Sequence, residues 1–286
     1  MSGKTPVGEA FSPLPPRPSR SYRRAPGFEL ALWPLALILT LFIVVPLIAL
    51  IWRTIQYGTD VTAGTVATFR QTLTLSLVTT SIAMLIILLF GTPLAYVLAR
   101  RRFPGRWLVD TIVDLPIVLP PAVAGIALLM AFGRRGVLGG TLADWGITIP
   151  FTAAAVVIAQ VFVAAPFYIR AARGGFNRIE PDLEAAAADL GAPPGTVFRT
   201  ITLPLARPGL AAGAVLAWAR ALGEFGATIM FAGNLAGTTR TMPLAIYGEY
   251  GAGDLPAALL LAIILLVTSV VILLVSRLVS RDRHGA

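Results

Sequence analysis

Hydrophobic positions along the chain gather into six runs of roughly 20 residues, separated by stretches that carry arginine, proline and glycine. A helix rising 1.5 Å per residue needs about that length to cross a hydrocarbon core of ~30 Å. The runs at 30–52, 73–99, 115–132, 151–169, 205–231 and 256–279 therefore predict six transmembrane helices and an all-α membrane protein. The first run exceeds the 7–15-residue core of a signal peptide and no small-residue cleavage site follows it, so it is expected to be a retained span. Prolines 116, 120 and 121 are expected to break the start of the third, freeing carbonyls that neighbouring groups must satisfy.

Basic residues set the expected orientation, because arginines near span ends resist translocation. One set of segments holds Lys4, Arg17, Arg20, Arg23 and Arg24, then Arg100, Arg101, Arg102 and Arg106, then Arg170, Arg173, Arg178 and Arg199, then Arg277, Arg281 and Arg283. The alternate loops hold only Arg53, Arg70, Arg134, Arg135 and Arg240. Both termini are expected in the cytoplasm, and an even number of spans requires that they share a side. Residues 1–29, with six prolines and almost no apolar periodicity, read as a disordered or extended leader, and 280–286 as a short basic tail.

Composition narrows the chemistry. Hydrophobic residues make up 56% of the 286 and charged residues 13%, about half the charged share of a soluble domain. The net charge of +9 sits at membrane edges without interleaved aromatics, which points to topology and anionic lipid, and not to nucleic acid. There is no cysteine, and the one histidine, His284, lies in the tail. Disulfides, thiolate or histidine metal sites and a histidine triad are thereby excluded, and no cofactor is expected. The sole lysine, Lys4, lies in the leader, so no Walker A loop exists and any nucleotide that drives this protein must bind another chain.

The connection 170–204 has its own helical grammar. Glu180, Asp182 and Glu184 cluster with Pro181 where a helix would start, Leu183, Ala187 and Leu190 share one face, and Gly191 supplies a left-handed stop. Pro193 and Pro194 open a second short turn, Val197 and Ile201 repeat at i, i+4, and Pro204 closes it.

Here the chain resembles the permease subunits of ABC importers, whose cytoplasmic signature reads EAA, three residues, G, nine residues, I-x-L-P. Glu184-Ala185-Ala186-Ala187 precedes Gly191, and after nine residues come Ile201, Leu203 and Pro204. Glu184 lies seven residues before Gly191 instead of six, so Ala185 occupies the family's glutamate position. The resemblance covers roughly 72–279 and implies the type I ABC importer permease fold. It also implies a homodimer, two copies of a separate ATPase subunit beneath it and a periplasmic oxyanion-binding protein on the other side. The loop-170–204 helix would dock in the ATPase, with Leu183, Glu184, Ala185, Ala186, Ala187, Gly191, Ile201, Leu203 and Pro204 as coupling residues. The chain itself would be no enzyme.

The fifth run adds Arg220, Gly223, Glu224, Phe225, Gly226, Ala227 and Thr228, then Gly233 and Asn234, a pattern similar to the molybdate branch of these permeases. The sulfate/thiosulfate branch is similar too, but typically carries tyrosine and serine at positions 225 and 227. Molybdate, with tungstate as its analogue, is the expected cargo, and sulfate the alternative. Charges inside a span cost about 2.5–3.5 kcal/mol each by insertion scales and normally pair or face water. Arg220 and Glu224, at i, i+4, read either as a pair that locks helix register or as a contact for the passing anion. Arg220, Gly223, Glu224, Gly226, Thr228 and Asn234 are the candidate pathway residues. Thr79, Thr80 and Ser81 either line a polar path or bond their own helix. Gly209 and Gly213 form a GxxxG expected to pack helices closely. An ion-coupled transporter or channel is a weaker rival, since Glu224 is the one acid well inside a predicted span.

Overall fold

The computed structural model describes residues 26–57 and 63–281. The expected leader at 1–29 lies mostly outside them, as does the end of the expected tail at 282–286. Among the described residues every regular element is helical. Those before Leu50 form one compact unit and those from Leu50 onward a second.

Helix α1, Pro26–Tyr57, begins four residues before the expected span and contains Pro34 and Pro46. Its described side chains up to Ala49 are exposed and almost all apolar, the surface of a helix made for lipid.

In the second unit, α2 (Ala63–Arg100) and α9 (Leu203–Leu222) pack around α6 (Ala153–Asn177). Small residues make this possible. A Cβ on Gly209 would come within 2.6 Å of Gly175 Cα, and one on Gly213 within 3.0 Å of the Ala171 side chain. The Gly209/Gly213 motif is thus the seam between α9 and α6, the close-packing role expected of it. Without a hydrophobic drive between lipid-solvated helices, such van der Waals contact is what holds them together. Met84, Ile87 and Leu98 of α2, Tyr168 and Phe176 of α6, and Ala206, Ala217 and Ala221 of α9 form the enclosed core.

Two expected spans are not single helices. The run 115–132 is the second part of a longer broken element: α3 (Arg106–Val118) and α4 (Pro121–Phe132) meet at an angle of 119°. Leu119 is extended, Pro120 and Pro121 bring no N–H to continue the ladder, and the break falls mid-element because α3 already starts at Arg106. Pro116 is accommodated inside α3. The run 205–231 likewise stops and restarts. A four-residue helix, α8 (Pro194–Val197), and a π turn at Phe198–Thr202 lead into it, and it runs as α9 until a break at 223–225. A short α10 (Gly226–Phe231) follows. Gly226 lies against α4, where a Cβ would come within 2.6 Å of the Pro121 side chain.

The remaining helices are α5 (Gly139–Asp144), α7 (Pro181–Asp189), α11 (Met242–Gly251) and α12 (Leu255–Arg281), the last containing the whole run 256–279. Among the described residues, five helices are long and apolar enough to cross a membrane, and six spans result if α3 and α4 count as one.

Candidate functional site

The connection after α6 folds as its residues dictate. Pro181 occupies the first turn of α7 beside Asp182 and Glu184, where a missing N–H costs nothing and acids suit the positive end of the helix dipole. Gly191, at φ +85°, ends the helix with Ala192 N–H donating to Ala187 O (3.1 Å) and Gly191 N–H to Ala188 O (2.9 Å). That paired bond pattern needs a left-handed residue, which glycine supplies without a Cβ penalty.

α7 buries no residue completely. Leu183 is 47% and Leu190 89% exposed, with Ala185 and Ala186 also exposed, while Glu184 and Ala187 are half-buried. The shared face expected for Leu183, Ala187 and Leu190 is therefore divided: the leucines look outward and Ala187 inward. Glu184 turns toward the bundle. Its Oε1 accepts from Thr202 Oγ1 at 2.6 Å and from Arg100 Nη2 at 3.1 Å, and Arg100 Nη1 donates to Ile179 O at 3.2 Å. Ile201, Leu203 and Pro204 are half-buried at the π turn and the start of α9. Behind them, Tyr96 meets Phe176 and Phe198 edge-on, at centroid distances of 5.4 and 5.1 Å.

Arg100 and Thr202 carry this arrangement, yet in the sequence the first read as a topology charge and the second as a spacer. A further charge ladder was equally hidden. Asp110 and Asp114 of α3 face Arg173 and Arg170 of α6, at 2.5 and 3.1 Å. Both acids belong to α3, ahead of the 119° bend into α4. Their i, i+4 spacing opposite an i, i+3 arginine pair was the available signal.

The second group of candidates surrounds the break at 223–225. Glu224, 1% exposed, accepts from Ala227 N–H at 2.7 Å through Oε1, while its Oε2 lies 2.6 Å from Arg220 Nη1. The carboxylate thus satisfies a backbone donor of α10 and the arginine at the end of α9 together. The buried Gln160 of α6 serves the other side: Nε2 donates to Ala221 O (3.2 Å) and to Thr80 Oγ1 (3.1 Å). Gln160 was the missed residue, and its signal was a lone amide in an otherwise apolar run.

Other candidates sit apart or serve the scaffold. Thr228 is buried on α10 with its hydroxyl unbonded. Gly223 is the C-cap of α9. Asn234 accepts from Arg240 Nε at 3.1 Å and donates to Leu244 O at 3.2 Å, fixing the connection into α11. Thr79 and Ser81 donate to the carbonyls of Leu75 and Leu77 in their own helix.

Comparison with known proteins agrees with this architecture. Residues 91–284 match the family described as "Binding-protein-dependent transport system inner membrane component". The molybdenum transport system permease protein ModB of Mycobacterium bovis is 43% identical over 235 residues, covering 82% of this chain and 88% of that protein. The sulfate transport system permease protein CysT of Salmonella typhimurium is 37% identical over 259 residues, covering 88% and 92%. A bacterial alginate ABC transporter, solved in complex with an alginate pentasaccharide-bound periplasmic protein, superposes with a TM-score of 0.71 at 19% identity, over 91% of this chain and 95% of its own. The fold is that of type I ABC importer permeases, transport subunits that are not themselves enzymes. The chain belongs to the binding-protein-dependent transport system inner membrane components, as a multi-span permease of an ABC importer in a bacterial inner membrane.

Proposed function

We propose that this permease carries molybdate, with tungstate as an analogous cargo, into the cytoplasm as a homodimer driven by two separate ATPase subunits. A periplasmic oxyanion-binding protein delivers the substrate. The observation that carries the reading is the 43% identity to a molybdenum permease over most of both chains. Phe225 and Ala227, where the sulfate branch typically has tyrosine and serine, favour the same cargo.

The geometry supports a division of labour. α7 offers Leu183 and Leu190 outward as an apolar face for the ATPase, and Pro181 and Gly191 fix where it starts and stops. Closure of the ATPases on ATP would displace α7 and, through it, the spans, exposing the pathway alternately to each side by rigid-body motion. ATP hydrolysis belongs to the partner. The arginine distribution supports a cytoplasmic position for α7 and both termini.

Near the break, Arg220 is neutralised by Glu224. A cation so paired attracts a dianion weakly, which suits a path that must release its cargo.

Sulfate is the second reading, favoured by the 37% identity to a sulfate permease over 88% of the chain. Proteoliposomes holding this chain, its ATPase and its binding protein distinguish the two. ATP-dependent uptake of labelled molybdate that a hundredfold excess of sulfate does not suppress is expected. Uptake of sulfate in preference reverses the assignment, and uptake driven by an ion gradient without the ATPase overturns the class of mechanism.

A further inference from the structure

We infer that Glu184 is a positioning residue that keys α7 to α2 and α9 at once, so that a displacement of α7 enters both spans together. The inference rests on the reading of α7 as the ATPase contact, and adds where the force goes next.

One oxygen is the node. Glu184 Oε1 takes the hydroxyl of Thr202 at 2.6 Å and the guanidinium of Arg100 at 3.1 Å. Arg100 is the last residue of α2, and its second nitrogen holds Ile179 O, in the turn between α6 and α7. Thr202 is the last residue of the π turn and leads directly into α9. The end of α2 thus meets the turn before α7, α7 itself and the π turn at a carboxylate and a guanidinium.

The node is enclosed. The side chains of Arg100 and Glu184 are 15% and 21% exposed, and Thr202 is 1% exposed. Away from bulk water such charge-assisted bonds are stronger than on a surface, and losing one partner strands the other. The π turn fits the same picture: a five-residue departure from α-helical winding is an uncommon feature that tends to mark functional positions, and here it ends on the residue bonded to Glu184.

The arrangement also assigns the two faces of α7. Its carboxylate at 184 is committed inward, which leaves the exposed Leu183, Ala186 and Leu190 for the partner. Apart from this node, α7 is joined to the chain through the turn at 178–180 and the connection at 190–193, and it packs against α8 and the π turn. A push on α7 without Glu184 would swing the helix on those joints and leave α2 behind.

The test uses the full importer in proteoliposomes and reads molybdate taken up per ATP hydrolysed, with co-purification of the ATPase and thermal midpoint measured alongside. Glu184→Ala is expected to retain the ATPase and hydrolyse ATP while uptake per ATP falls about tenfold, the scale of one lost charged hydrogen bond. The isosteric Glu184→Gln keeps an acceptor and should lose less. Exchanging the charges, with Arg100→Glu and Glu184→Arg together, should recover most of the loss seen in either single variant. Unchanged uptake per ATP in Glu184→Ala, a lowered midpoint without uncoupling, or an exchange that recovers nothing would each overturn the inference. Release of the ATPase by Glu184→Ala would do so as well, because the carboxylate would then be a partner contact. Leu183→Asp separates the underlying reading: if that variant keeps both the ATPase and full coupling, α7 is not the docking helix, whatever Glu184 does.

Discussion

Arg220 and Glu224 join two helices across a break: Nη1 of the arginine lies 2.6 Å from Oε2 of the glutamate, although α9 ends at Leu222 between them. The same carboxylate accepts the Ala227 N–H of α10 at 2.7 Å. Within one continuous helix the pair would lock register or meet the passing anion. Placed at a break, it satisfies both a charge and a backbone donor that the interruption leaves open.

Glu224→Ala should therefore destabilise more than Arg220→Ala, since it strands a cation and a backbone N–H together. A loss of about 3 kcal/mol is expected, the scale of breaking a buried pair from one side. Thermal unfolding in detergent measures it. The double variant should recover part of the loss, and no recovery would mean that the two side chains act independently.

Gln160→Leu removes the donor to Ala221 O and Thr80 while keeping the volume nearly constant. Ala221 O keeps the Glu224 N–H at 3.2 Å, so the cost is that of the amide's two hydrogen bonds, about 1–3 kcal/mol. A midpoint equal to that of the unaltered protein would show that another donor replaces the amide.

Neighbouring glycines in α6 should respond oppositely to alanine. At Gly175 a Cβ would lie 3.1 Å from Gly209 Cα, whereas at Gly174 nothing lies within 4 Å. Gly175→Ala is expected to loosen the seam by about 1–3 kcal/mol, and Gly174→Ala to stabilise by up to about 1 kcal/mol through helix propensity. Unfolding of the two variants side by side is the check.

Gly191→Ala places a side chain at φ +85°, which should cost about 1–2 kcal/mol. The strain falls at the end of α7, so hydrolysis coupled to uptake should suffer more than the midpoint of the whole chain. Equal loss of both would argue that α7 does not transmit motion.

Much of the fold was legible beforehand. The six apolar runs correspond to the membrane elements, Pro181 and Gly191 bound α7 as their chemistry requires, and Gly209 and Gly213 form a close seam. The breaks were harder to place. Gly223 and Glu224 stand in a run apolar enough to read as continuous helix, and α3 starts in a segment whose two aspartates lowered its hydropathy. Both aspartates are matched by arginines of α6, Asp110 by Arg173 and Asp114 by Arg170, a pairing at which their spacing hints but which only packing fixes.

The number of membrane elements and the position of the connecting helix follow from transfer free energy and helix capping, which act over a few turns of one segment and can be read residue by residue. Which polar atom meets which follows from packing. Arg100 reaches Glu184 across 84 positions, Gln160 reaches Ala221 across 61, and Arg173 reaches Asp110 across 63. Each of those groups is costly in an apolar surround until another helix supplies its partner, so their roles exist only once the bundle has closed.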